Sequence, residues 1–559
     1  MIQLFERKAH KLPGSTSIFV VCEYNRNVVD IIKCCAERNW DVDSKEWEVP
    51  IYELSSLINK LVDIDSVELN VLRDKKKVKI EIPRGYKFKL KPYDYQVEGI
   101  EYGLNHNGWI LGDDMGLGKT YQTTHLAGIL KETEGLKHCL VICGKASLKN
   151  NWVRDIKKSS ELDSFVLGTR YQKSGKPYIG SIADRVEDLK KGIKEFFIIT
   201  NIETIRDKNI VKELTKNKLG IDMIVLDEAH ACKSPTSQQG KNLLKLTKAK
   251  RRIALTGTII VNNPLDAYVP LKWTGNESAD YTHFKSRYCV FDSFRRGAII
   301  GFKNLDLLHQ QLSTCMLRRL KKDKLKDLPP KTYITDYVDM TDKQAMLYEN
   351  VKDSIRDEID KVPISSLNQM ALSTRLRQCT AWTGILSSTI TESAKLDRLD
   401  DLLEQIVAQG DKAIVFSVFK PTVDIMRERY AKYGIVTLTG DETNDNEIEK
   451  IKDKFRTDDN CKVIAGTWQK MGTGHTLTAA SYVIFIDTPW TDADFQQCVD
   501  RAHRIGLMKN LTVITLVAKG TFDERVLEIV ESKKTLSDYV VSAKVTTDKQ
   551  KLKEYLGIA

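Results

Sequence analysis

One glycine-rich segment has the residue types and the setting of a phosphate-binding loop. It lies between an apolar run and a helical pattern, and all of its residues are expected to contact ATP: Asp113, Asp114, Met115, Gly116, Leu117, Gly118, Lys119 and Thr120. Gly116 and Gly118 would let backbone N–H groups close around the phosphates. Lys119 would pair with the β- and γ-phosphates, and Thr120 would bind Mg²⁺. Asp113 stands where such a loop usually begins with glycine, and a glycine-rich turn before a helix is the alternative interpretation.

Two adjacent carboxylates, Asp227 and Glu228, directly follow a second apolar run. Open α/β sheets bind ligands at the carboxyl ends of their strands, which is where this pair would lie. Asp227 is suited to hold Mg²⁺ and Glu228 to orient or deprotonate the attacking water, because phosphoryl transfer needs positioning and charge neutralisation. An acidic pair that caps a strand or a helix is the alternative. The order of the pair after the glycine-rich segment favours catalysis.

A pair of arginines towards the end of the chain forms the third group. Arg501 and Arg504 are three residues apart on a helix predicted after Trp490, so they would share one helical face. Their guanidinium groups could reach the γ-phosphate across a cleft and stabilise charge in the transition state. A solvated basic helix face is the alternative. A site divided between two lobes would close on ATP and reopen after hydrolysis, as a motor requires.

The composition is that of a soluble, folded protein with a modest basic excess. The 559 residues are 42% hydrophobic and 29% charged, with a formal net charge of +11. This charge fits a polyanionic partner and equally fits simple solubility. The 11 cysteines have no CxxC spacing, which argues against a disulfide framework or a zinc site. One basic run would be either a solvated face or a polyanion contact: Arg318, Arg319, Lys321, Lys322, Lys324 and Lys326.

The sequence also bears on location. It shows no secretory signal and no apolar run of the length that a bilayer requires. We therefore expect a soluble intracellular protein, cytoplasmic in a prokaryote or nuclear in a eukaryote.

The apolar pattern predicts an α/β protein with two doubly wound parallel sheets, because strands alternate with helices in two long stretches. The five predicted segments are a small α+β module (1–85), a first lobe (86–262), a helical insertion and linker (263–393), a second lobe (394–540) and a tail (541–559). Within the first segment the expected order is β-α-β-α-β-β. Residues 67–72 and 78–82 would form its final hairpin.

Several motifs occur in the order found in helicases, and over roughly residues 88–535 the chain resembles the Swi/Snf-related branch of helicase superfamily two. The motifs are Asp113–Thr120, Asp227–His230, Ala254–Thr258, the Gly472–Gly474 loop with Leu477–Ala480, and Gln497–Gly506. The resemblance implies two RecA-like lobes with ATP hydrolysis in the cleft between them. It also implies that Gln96 reads adenine, and that Thr256, Thr258 and Gln497 couple hydrolysis to movement.

The same resemblance suggests where DNA would bind. Asn151 and Trp152, like Thr200 and Asn201, match segments along the family's DNA track. The residues implied to contact DNA are Lys145, Ser147, Asn201 and Thr473.

Four positions depart from the family pattern. Ile259 and Val261 replace a proline and a glutamine, Thr476 stands where asparagine is common, and Leu507 replaces a glutamine. None of these changes removes a phosphate, metal or finger residue, so hydrolysis should survive. They bear instead on the coupling of hydrolysis to DNA movement.

The N-terminal module resembles the HARP domain of annealing helicases through Tyr24, Trp40, Asp41, Lys45, Trp47, Val49 and Pro50. This resemblance implies recognition of branched DNA, and a generic α+β decoration is the alternative. Trp40 and Trp47 could be stacking platforms for bases, but we expect both to be core residues. Further on, residues 316–320 and 328–331 resemble the family's segment that joins the two lobes.

Together these inferences predict an ATP-dependent, DNA-stimulated motor that requires Mg²⁺ and acts as a monomer away from membranes. It would translocate on double-stranded or branched DNA without regard to sequence, because phosphate contacts would dominate its grip. An annealing helicase or a fork remodeller would be its more specific forms. The alternatives are a strand-separating helicase on DNA or RNA and a nucleotide-gated DNA-binding scaffold.

Overall fold

The computed structural model describes residues 2–7, 11–12, 17–35, 37–42, 44–50, 53, 57, 61, 64, 67–71, 81–144, 148–175, 177–261, 263–292, 299–325, 327–361, 366–442, 445–472, 477–528 and 530–531. These residues form two compact units. The first contains the described residues up to Lys321 and the second those from Lys322 onwards. The predicted tail, 541–559, lies outside the described residues.

The first unit begins with a five-stranded sheet of order β3-β4-β2-β1-β5. Its elements are β1 (Ile2–Arg7), β2 (Ser17–Val21), α1 (Arg26–Lys33), β3 (Asn39–Asp41), β4 (Glu46–Pro50) and β5 (Val67–Val71). The helix starts where the Asn25 side chain accepts a hydrogen bond from the Asn27 amide at 2.9 Å, a common way to satisfy the free amides of a first turn. Its buried residues, Val28 and Ile32, are four apart and therefore share the face towards the sheet.

The structure adds one strand to the predicted sheet and places one tryptophan differently. Strand β1, which the apolar pattern did not predict, pairs antiparallel with β2 and parallel with β5. Most of the strand predicted to form a hairpin with β5, 78–82, lies outside the described residues, so the hairpin stays a prediction. Trp40 was expected in the core, but 41% of it is exposed, because it lies on an edge strand. Its ring packs against Trp47 at 5.1 Å between centroids, and Trp47 in turn packs against the core.

The N-terminal sheet is held on the rest of the first unit by a buried ion pair. Arg287 donates to Glu37 at 2.6 Å and to Glu277 at 3.1 Å, and only 3% of the Arg287 side chain is exposed. Ser278 also donates to Glu37, at 2.9 Å. One arginine therefore joins a carboxylate of the N-terminal module to a carboxylate of the segment that follows the first large sheet.

The large sheet of the first unit has seven parallel strands, in the order β16-β6-β13-β12-β7-β11-β8. The strands are β6 (Gly108–Leu111), β7 (His138–Cys143), β8 (Ser164–Val166), β11 (Phe197–Asn201), β12 (Ile221–Asp227), β13 (Arg251–Leu255) and β16 (Met316–Leu317). Two small antiparallel hairpins accompany them, formed by β9 (Thr169–Tyr171) with β10 (Pro177–Ile179) and by β14 (Cys289–Phe291) with β15 (Ile299–Phe302). Apolar clusters cover both faces of the large sheet, which explains why its strands read as continuous apolar runs.

The helices of this unit lie between its strands. They are α2 (Asp94–Asn105), α3 (Lys119–Glu134), α4 (Leu148–Ser159), α5 (Ile182–Lys191), α6 (Lys208–Lys216), α7 (Gln238–Leu243), α8 (Tyr268–Thr274), α9 (Tyr281–Tyr288) and α10 (Leu305–Cys315). A short helix, α11 (Lys321–Lys324), follows β16. Each parallel pair of strands needs such a crossover connection.

The second unit contains a six-stranded parallel sheet of order β17-β22-β21-β18-β20-β19. The strands are β17 (Lys331–Val338), β18 (Ala413–Ser417), β19 (Val436–Leu438), β20 (Val463–Thr467), β21 (Tyr482–Phe485) and β22 (Leu511–Ala518). The helices are α12 (Asp342–Lys361), α13 (Ser366–Ala381), α14 (Ala394–Ala408), α15 (Lys420–Arg429), α16 (Asp445–Thr457), α17 (Trp468–Met471) and α18 (Asp492–Val499). The α/β class with two parallel, doubly wound sheets, predicted from the sequence, is confirmed.

Residues 263–393 do not form a single helical insertion. Within this range β16 adds an edge strand to the sheet of the first unit, and β17 adds an edge strand to the sheet of the second. Both strands were missed because an edge strand lacks the continuous apolar run of a central one: β17 is mostly exposed, and half of its eight residues are polar or charged. Among the described residues, no helix combines the length and apolar character needed to cross a membrane.

The contact between Arg287 and its two glutamates predicts a large effect of one substitution on stability. Arg287→Ala leaves two carboxylates without their cation in a buried place, so we expect a loss of about 3–5 kcal/mol in the free energy of unfolding. Chemical denaturation followed by circular dichroism measures it. Lys191→Ala is the matched control, because its pair with Glu187 is exposed and solvent screens such a pair, so its loss should change stability little. Equal effects of the two substitutions would contradict the structural role of Arg287.

Candidate nucleotide-binding site

Three neighbouring strands of the first unit end level with one another. In the parallel register Leu111 of β6 pairs with Leu255 of β13, and Leu255 pairs with Asp227 of β12. The residues that follow these strands are therefore neighbours at one edge of the sheet. They include the glycine-rich segment, the Thr256–Thr258 turn and the carboxylate pair, so the sheet brings together groups that lie far apart in the sequence.

The glycine-rich segment forms a tight loop between β6 and α3. Gly116 and Gly118 have positive φ angles of 90° and 79°, a backbone conformation that glycine adopts without strain. Helix α3 begins at Lys119, directly after Gly118, so its free N–H groups face the loop, as in an anion-binding helix N-terminus. The Lys119 ammonium group donates to the carbonyl oxygen of Asp113 at 2.7 Å. Leu117 is buried and anchors the loop.

The first residue of the loop has a different role from the one predicted. The Asp113 side chain is fully buried and accepts hydrogen bonds from Arg319, at 2.9 Å to Oδ1 and 2.5 Å to Oδ2. Gln122 of α3 donates to the same carboxylate at 3.0 Å. The Asp113 carboxylate is therefore an internal anchor of the loop and is not directed at a phosphate. Asp114 is engaged in a similar way, since Oδ2 accepts from the Lys321 amide at 2.9 Å.

Sequence reasoning missed Arg319, because it lies in a basic run that was interpreted as a solvated face or a polyanion contact. Arg319 and Lys321 of that run are in fact buried, and Lys326 lies outside the described residues. The guanidinium of Arg319 also donates to the backbone oxygen of Tyr95. The sequence did offer one signal of this contact: Asp113 stands at a position usually held by glycine. A carboxylate that is buried there requires a charged or hydrogen-bonding partner.

Gln96, expected to read adenine, lies on α2 beside the loop. Its Nε2 donates to the Leu117 carbonyl oxygen at 3.3 Å, and its Oε1 accepts from the Tyr93 amide at 3.1 Å. Gly118 leaves room for this amide, since a Cβ there would come within 2.5 Å of Gln96 Nε2. Gln96 thus contacts the loop directly, and its role in reading adenine stays a prediction.

Asp227 and Glu228 lie at the carboxyl end of β12. Asp227 accepts a hydrogen bond from the indole N–H of Trp152 at 2.8 Å, a partner on α4 that sequence reasoning had assigned to the DNA track. Burial and the neighbouring Glu228 raise the pKa of Asp227, while Lys119 opposes this shift. Two adjacent carboxyl groups in a buried place favour a bound cation, because a cation offsets both burial and repulsion.

Glu228 adopts a strained backbone conformation. Its φ is 51° and its ψ is 55°, in the left-handed region that residues with a side chain rarely adopt and that often marks functional sites. Its Oε2 is buried without a hydrogen-bond partner in the described structure, and lies 3.5 Å from His230 Nδ1. A carboxylate oxygen held in this way can accept a proton or bind a water molecule.

His230 links the carboxylate pair to the Thr256–Thr258 turn. Its Nδ1 is hydrogen-bonded to Thr256 Oγ1 at 3.3 Å, and Thr256 Oγ1 donates to the Thr258 carbonyl oxygen at 2.7 Å. Thr256 is fully buried. Polar contacts therefore connect Glu228 through His230 to the two threonines predicted to couple hydrolysis to movement.

These residues fit ATP and Mg²⁺. The loop offers the backbone N–H groups of a helix start and the ammonium group of Lys119, and the edge of the sheet offers Asp227 with Thr120 at the first turn of α3. Among the described residues, no cluster of three or more His, Cys, Asp or Glu side chains forms a metal cage. Mg²⁺ in phosphoryl-transfer sites does not need one, because one or two protein oxygens and the phosphates complete its shell.

The residues expected to contact DNA are tested only in part. Lys145, Ser147 and Thr473 lie outside the described residues. Asn201 is buried: its Oδ1 accepts from Thr204 at 2.6 Å and its Nδ2 donates to Glu203. Its side chain therefore shapes the turn after β11 and is not exposed for a direct contact.

In the second unit, Arg501 and Arg504 follow α18, which ends at Val499, so they lie in consecutive turns and do not share a helical face as predicted. Arg501 is buried and its Nε donates to the Gln497 carbonyl oxygen at 3.0 Å. Arg504 is partly exposed, and its Nε donates to the Asp500 carbonyl oxygen at 3.0 Å. Leu477 donates its amide to the Arg501 carbonyl at 2.8 Å, which ties this arginine segment to the preceding motif.

Helix α3 is fixed on its outer side by aromatic residues. His125 is buried and packs against Phe88 at 4.8 Å and Tyr121 at 4.4 Å between ring centroids. Its Nδ1 is hydrogen-bonded to the Tyr86 hydroxyl at 2.9 Å. Burial lowers the pKa of His125 to about 4. The helix that begins at Lys119 is thus held in place by a neutral histidine.

Two parallel-sheet units, one of which carries a phosphate loop beside a carboxylate pair, define the class of P-loop proteins with a repeated α/β core. The family model for the SNF2-related domain matches residues 29–392, and that for the helicase conserved C-terminal domain matches residues 394–506. The chain therefore belongs to the SNF2-related family.

Three known proteins illustrate the relationship. The ISWI chromatin-remodeling complex ATPase ISW1 of Saccharomyces cerevisiae is 26% identical over 84% of this chain and 42% of its own length. The DNA annealing helicase and endonuclease ZRANB3 of Mus musculus is 28% identical over 78% of this chain and 39% of its own length. An SWI2/SNF2 ATPase core of Sulfolobus solfataricus, solved with dsDNA, is 26% identical and covers 86% of this chain and 100% of that one, but the TM-score of 0.38 supports no structural comparison. The chain spans less than half the length of these two curated relatives.

The neutral state of His125 predicts how the stability of the first unit depends on pH. In the folded protein His125 stays neutral down to pH ~4, whereas in the unfolded chain it binds a proton near pH ~6.5. The free energy of unfolding therefore falls as the pH is lowered through this window. Between pH 7 and pH 5 the contribution of His125 should be roughly 1–2 kcal/mol. His125→Gln should remove this part of the pH dependence in urea denaturation. His283→Gln, which alters an exposed histidine, should not change this pH dependence. The prediction is contradicted if the free energy of unfolding changes equally with pH in the unmodified protein and in both variants.

Proposed function

We propose that this protein is an ATP-dependent motor that hydrolyses ATP and translocates on double-stranded DNA. The observation that carries the proposal is the level register of β6, β13 and β12. It places the start of the phosphate loop, the Thr256–Thr258 turn and the Asp227–Glu228 pair at one edge of one sheet. A phosphate anchor, a carboxylate for the metal and a carboxylate for the attacking water are parts that phosphoryl transfer to water uses.

Each residue then has a defined task. Lys119 exchanges the Asp113 carbonyl for phosphate oxygens. Glu228, with its unpaired oxygen, orients the attacking water and receives its proton. Thr120 and Asp227 would hold Mg²⁺, which supplies charge neutralisation on the phosphates when it is bound. Through His230, a change at Glu228 during hydrolysis reaches the Thr256–Thr258 turn.

The arginines of the second unit complete the proposed machinery. Arg501 and Arg504 would stabilise negative charge in the transition state, which in related chemistry accelerates the reaction by about 10³–10⁵. Both side chains are braced by backbone carbonyl groups of their own segment. A guanidinium that is already oriented loses less freedom when it binds a phosphate.

The choice of DNA rests on the relatives. Their names describe an ATPase of a chromatin-remodeling complex and a DNA annealing helicase and endonuclease. For this chain we propose binding to double-stranded or branched DNA without sequence preference, as a monomer, and annealing or fork remodelling as the specific activity. Lys145, Ser147 and Thr473 stay the proposed DNA contacts, and Asn201 would act by shaping its turn.

Glu228→Gln tests the catalytic assignment. Removal of the proton acceptor should lower the rate of ATP hydrolysis by about 10²–10⁴, measured as phosphate release at saturating ATP and DNA. Binding of ADP should persist, because Glu228 is not part of the phosphate loop. Glu187→Gln, a surface substitution on α5 with half of the side chain exposed, serves as control and should match the unmodified protein. Unchanged hydrolysis in Glu228→Gln would remove Glu228 from the mechanism.

The polynucleotide that stimulates hydrolysis tests the proposed substrate. Blunt duplex DNA should stimulate ATP hydrolysis more than single strands, and the affinity for DNA should fall steeply as salt increases. Forked DNA should stimulate at least as strongly as blunt duplex if the protein remodels forks. Preferential stimulation by single strands or by RNA would favour a strand-separating helicase. Nucleotide binding without turnover on any polynucleotide would favour a nucleotide-gated scaffold.

A further inference from the structure

The polypeptide that leaves the sheet of the first unit runs alongside the phosphate loop. Strand β16 pairs in parallel with β6, and Leu317 lies level with Leu111. The pairing continues beyond both strands: the Gly112 amide donates to the Leu317 carbonyl at 2.8 Å, and the Asp114 amide donates to the Arg319 carbonyl at 3.0 Å. Residues 317–321, which we name the exit segment, therefore form one side of the phosphate loop.

Arg319 is the centre of this contact. Its guanidinium binds both oxygens of the Asp113 carboxylate, and Nη2 also donates to Gln122 Oε1 at 2.7 Å. Arg319 is the one cation that pairs with this carboxylate among the residues the structure describes. Gly99 of α2 makes room for the group, because a side chain there would collide with Gln122 and Arg319. A buried carboxylate with a single cation depends strongly on that cation.

The contact extends to the lysine that would bind phosphate. The Lys119 ammonium rests on the carbonyl oxygen of Asp113, the same residue whose carboxylate Arg319 holds. Arg319 thus keeps a negative charge turned away from Lys119. Without Arg319, the Asp113 carboxylate would be a buried anion without its cation on the residue that Lys119 already contacts, and it would compete with phosphate for the ammonium group.

We infer that Arg319 is a positioning residue of the nucleotide site: it sequesters the Asp113 carboxylate so that Lys119 stays available to phosphate, and it makes nucleotide affinity depend on the exit segment. This inference rests on the proposed function for the identity of the nucleotide, and adds to it a way in which the site is regulated. Any displacement of the exit segment weakens the hold on Asp113. Nucleotide affinity then falls, because Lys119 is drawn to the carboxylate.

A pair of variants distinguishes this electrostatic role from simple support of the fold. Arg319→Gln should raise the dissociation constant of a fluorescent N-methylanthraniloyl derivative of ADP at least about tenfold, the size of one lost charge-assisted hydrogen bond. Arg319→Gln combined with Asp113→Asn removes the competing charge as well. It should bring the dissociation constant back to within about threefold of the unmodified protein, because the two effects are coupled. Arg319→Lys, which keeps the charge, should have a dissociation constant between that of Arg319→Gln and that of the double variant.

Thermal unfolding of each variant establishes that it is folded. Glu98→Gln is the control, because Glu98 is an exposed neighbour at 3.6 Å from Arg319, and it should bind ADP as the unmodified protein does. A double variant that binds no better than Arg319→Gln would overturn the inference in favour of a purely structural role. So would normal ADP affinity in Arg319→Gln.

The outcome for the proposed function is read separately, from the unmodified protein. If the unmodified protein binds the ADP derivative and releases no phosphate from ATP, the proposed hydrolysis fails while the role of Arg319 is still decided by the variants. If it hydrolyses ATP and all variants bind ADP equally, only the inference about Arg319 fails. If it binds no nucleotide at all, both are wrong.

Discussion

The candidate site depends on one constraint, the parallel register of the central strands in the first unit. Parallel strands that end level with one another deliver all of their following loops to the same edge. Here Leu111, Leu255 and Asp227 are level across three neighbouring strands. On the outer side of β6, Leu317 is level with Leu111. A shift of one residue in any of these pairings would separate groups that must act on one molecule, since adjacent strand residues point to opposite faces.

The carboxylates at this edge are held in different ways, and the differences follow from their neighbours. The Asp113 carboxylate is paired with Arg319 and accepts a hydrogen bond from Gln122, so its charge is balanced inside the protein. Asp227 accepts a hydrogen bond from the indole N–H of Trp152 and lies near Lys119, both of which favour its charged form. The adjacent carboxylate of Glu228 opposes that form. Glu228 has a strained backbone and a buried oxygen without a partner. Strain and unsatisfied polar atoms are expensive, and they persist where the surrounding structure enforces them. Of the three carboxylates, Glu228 is therefore the one with a buried oxygen that no hydrogen bond satisfies, which agrees with the role proposed for it.

The N-terminal module belongs to the first unit through the same kind of contact that organises the loop. In both places one buried arginine joins two distant stretches of chain, Arg287 for the module and Arg319 for the loop. Arginine suits this role because its planar group can serve several acceptors at once and does not lose its charge. The module is therefore attached to the nucleotide-binding unit by a specific contact that includes Glu37, while its Trp40 lies on an exposed edge.

Sequence alone determined the α/β class, the central strands of both sheets and the groups that would handle phosphate. Those features are local: a buried parallel strand reads as an apolar run, and a loop that binds phosphate needs glycine, lysine and a hydroxyl in a fixed order. The edge strands β16 and β17 escaped prediction because half-exposed strands carry no apolar run. The turns that hold Arg501 and Arg504 escaped because no glycine or proline marks the end of α18 at Val499. Only the tertiary structure decided which charges meet. Arg319 follows Asp113 by 206 residues, and nothing in the sequence around either residue predicts that the two form an ion pair. The meaning of a charged residue depends on burial and on its partner, and both arise only when distant strands take their places in one sheet.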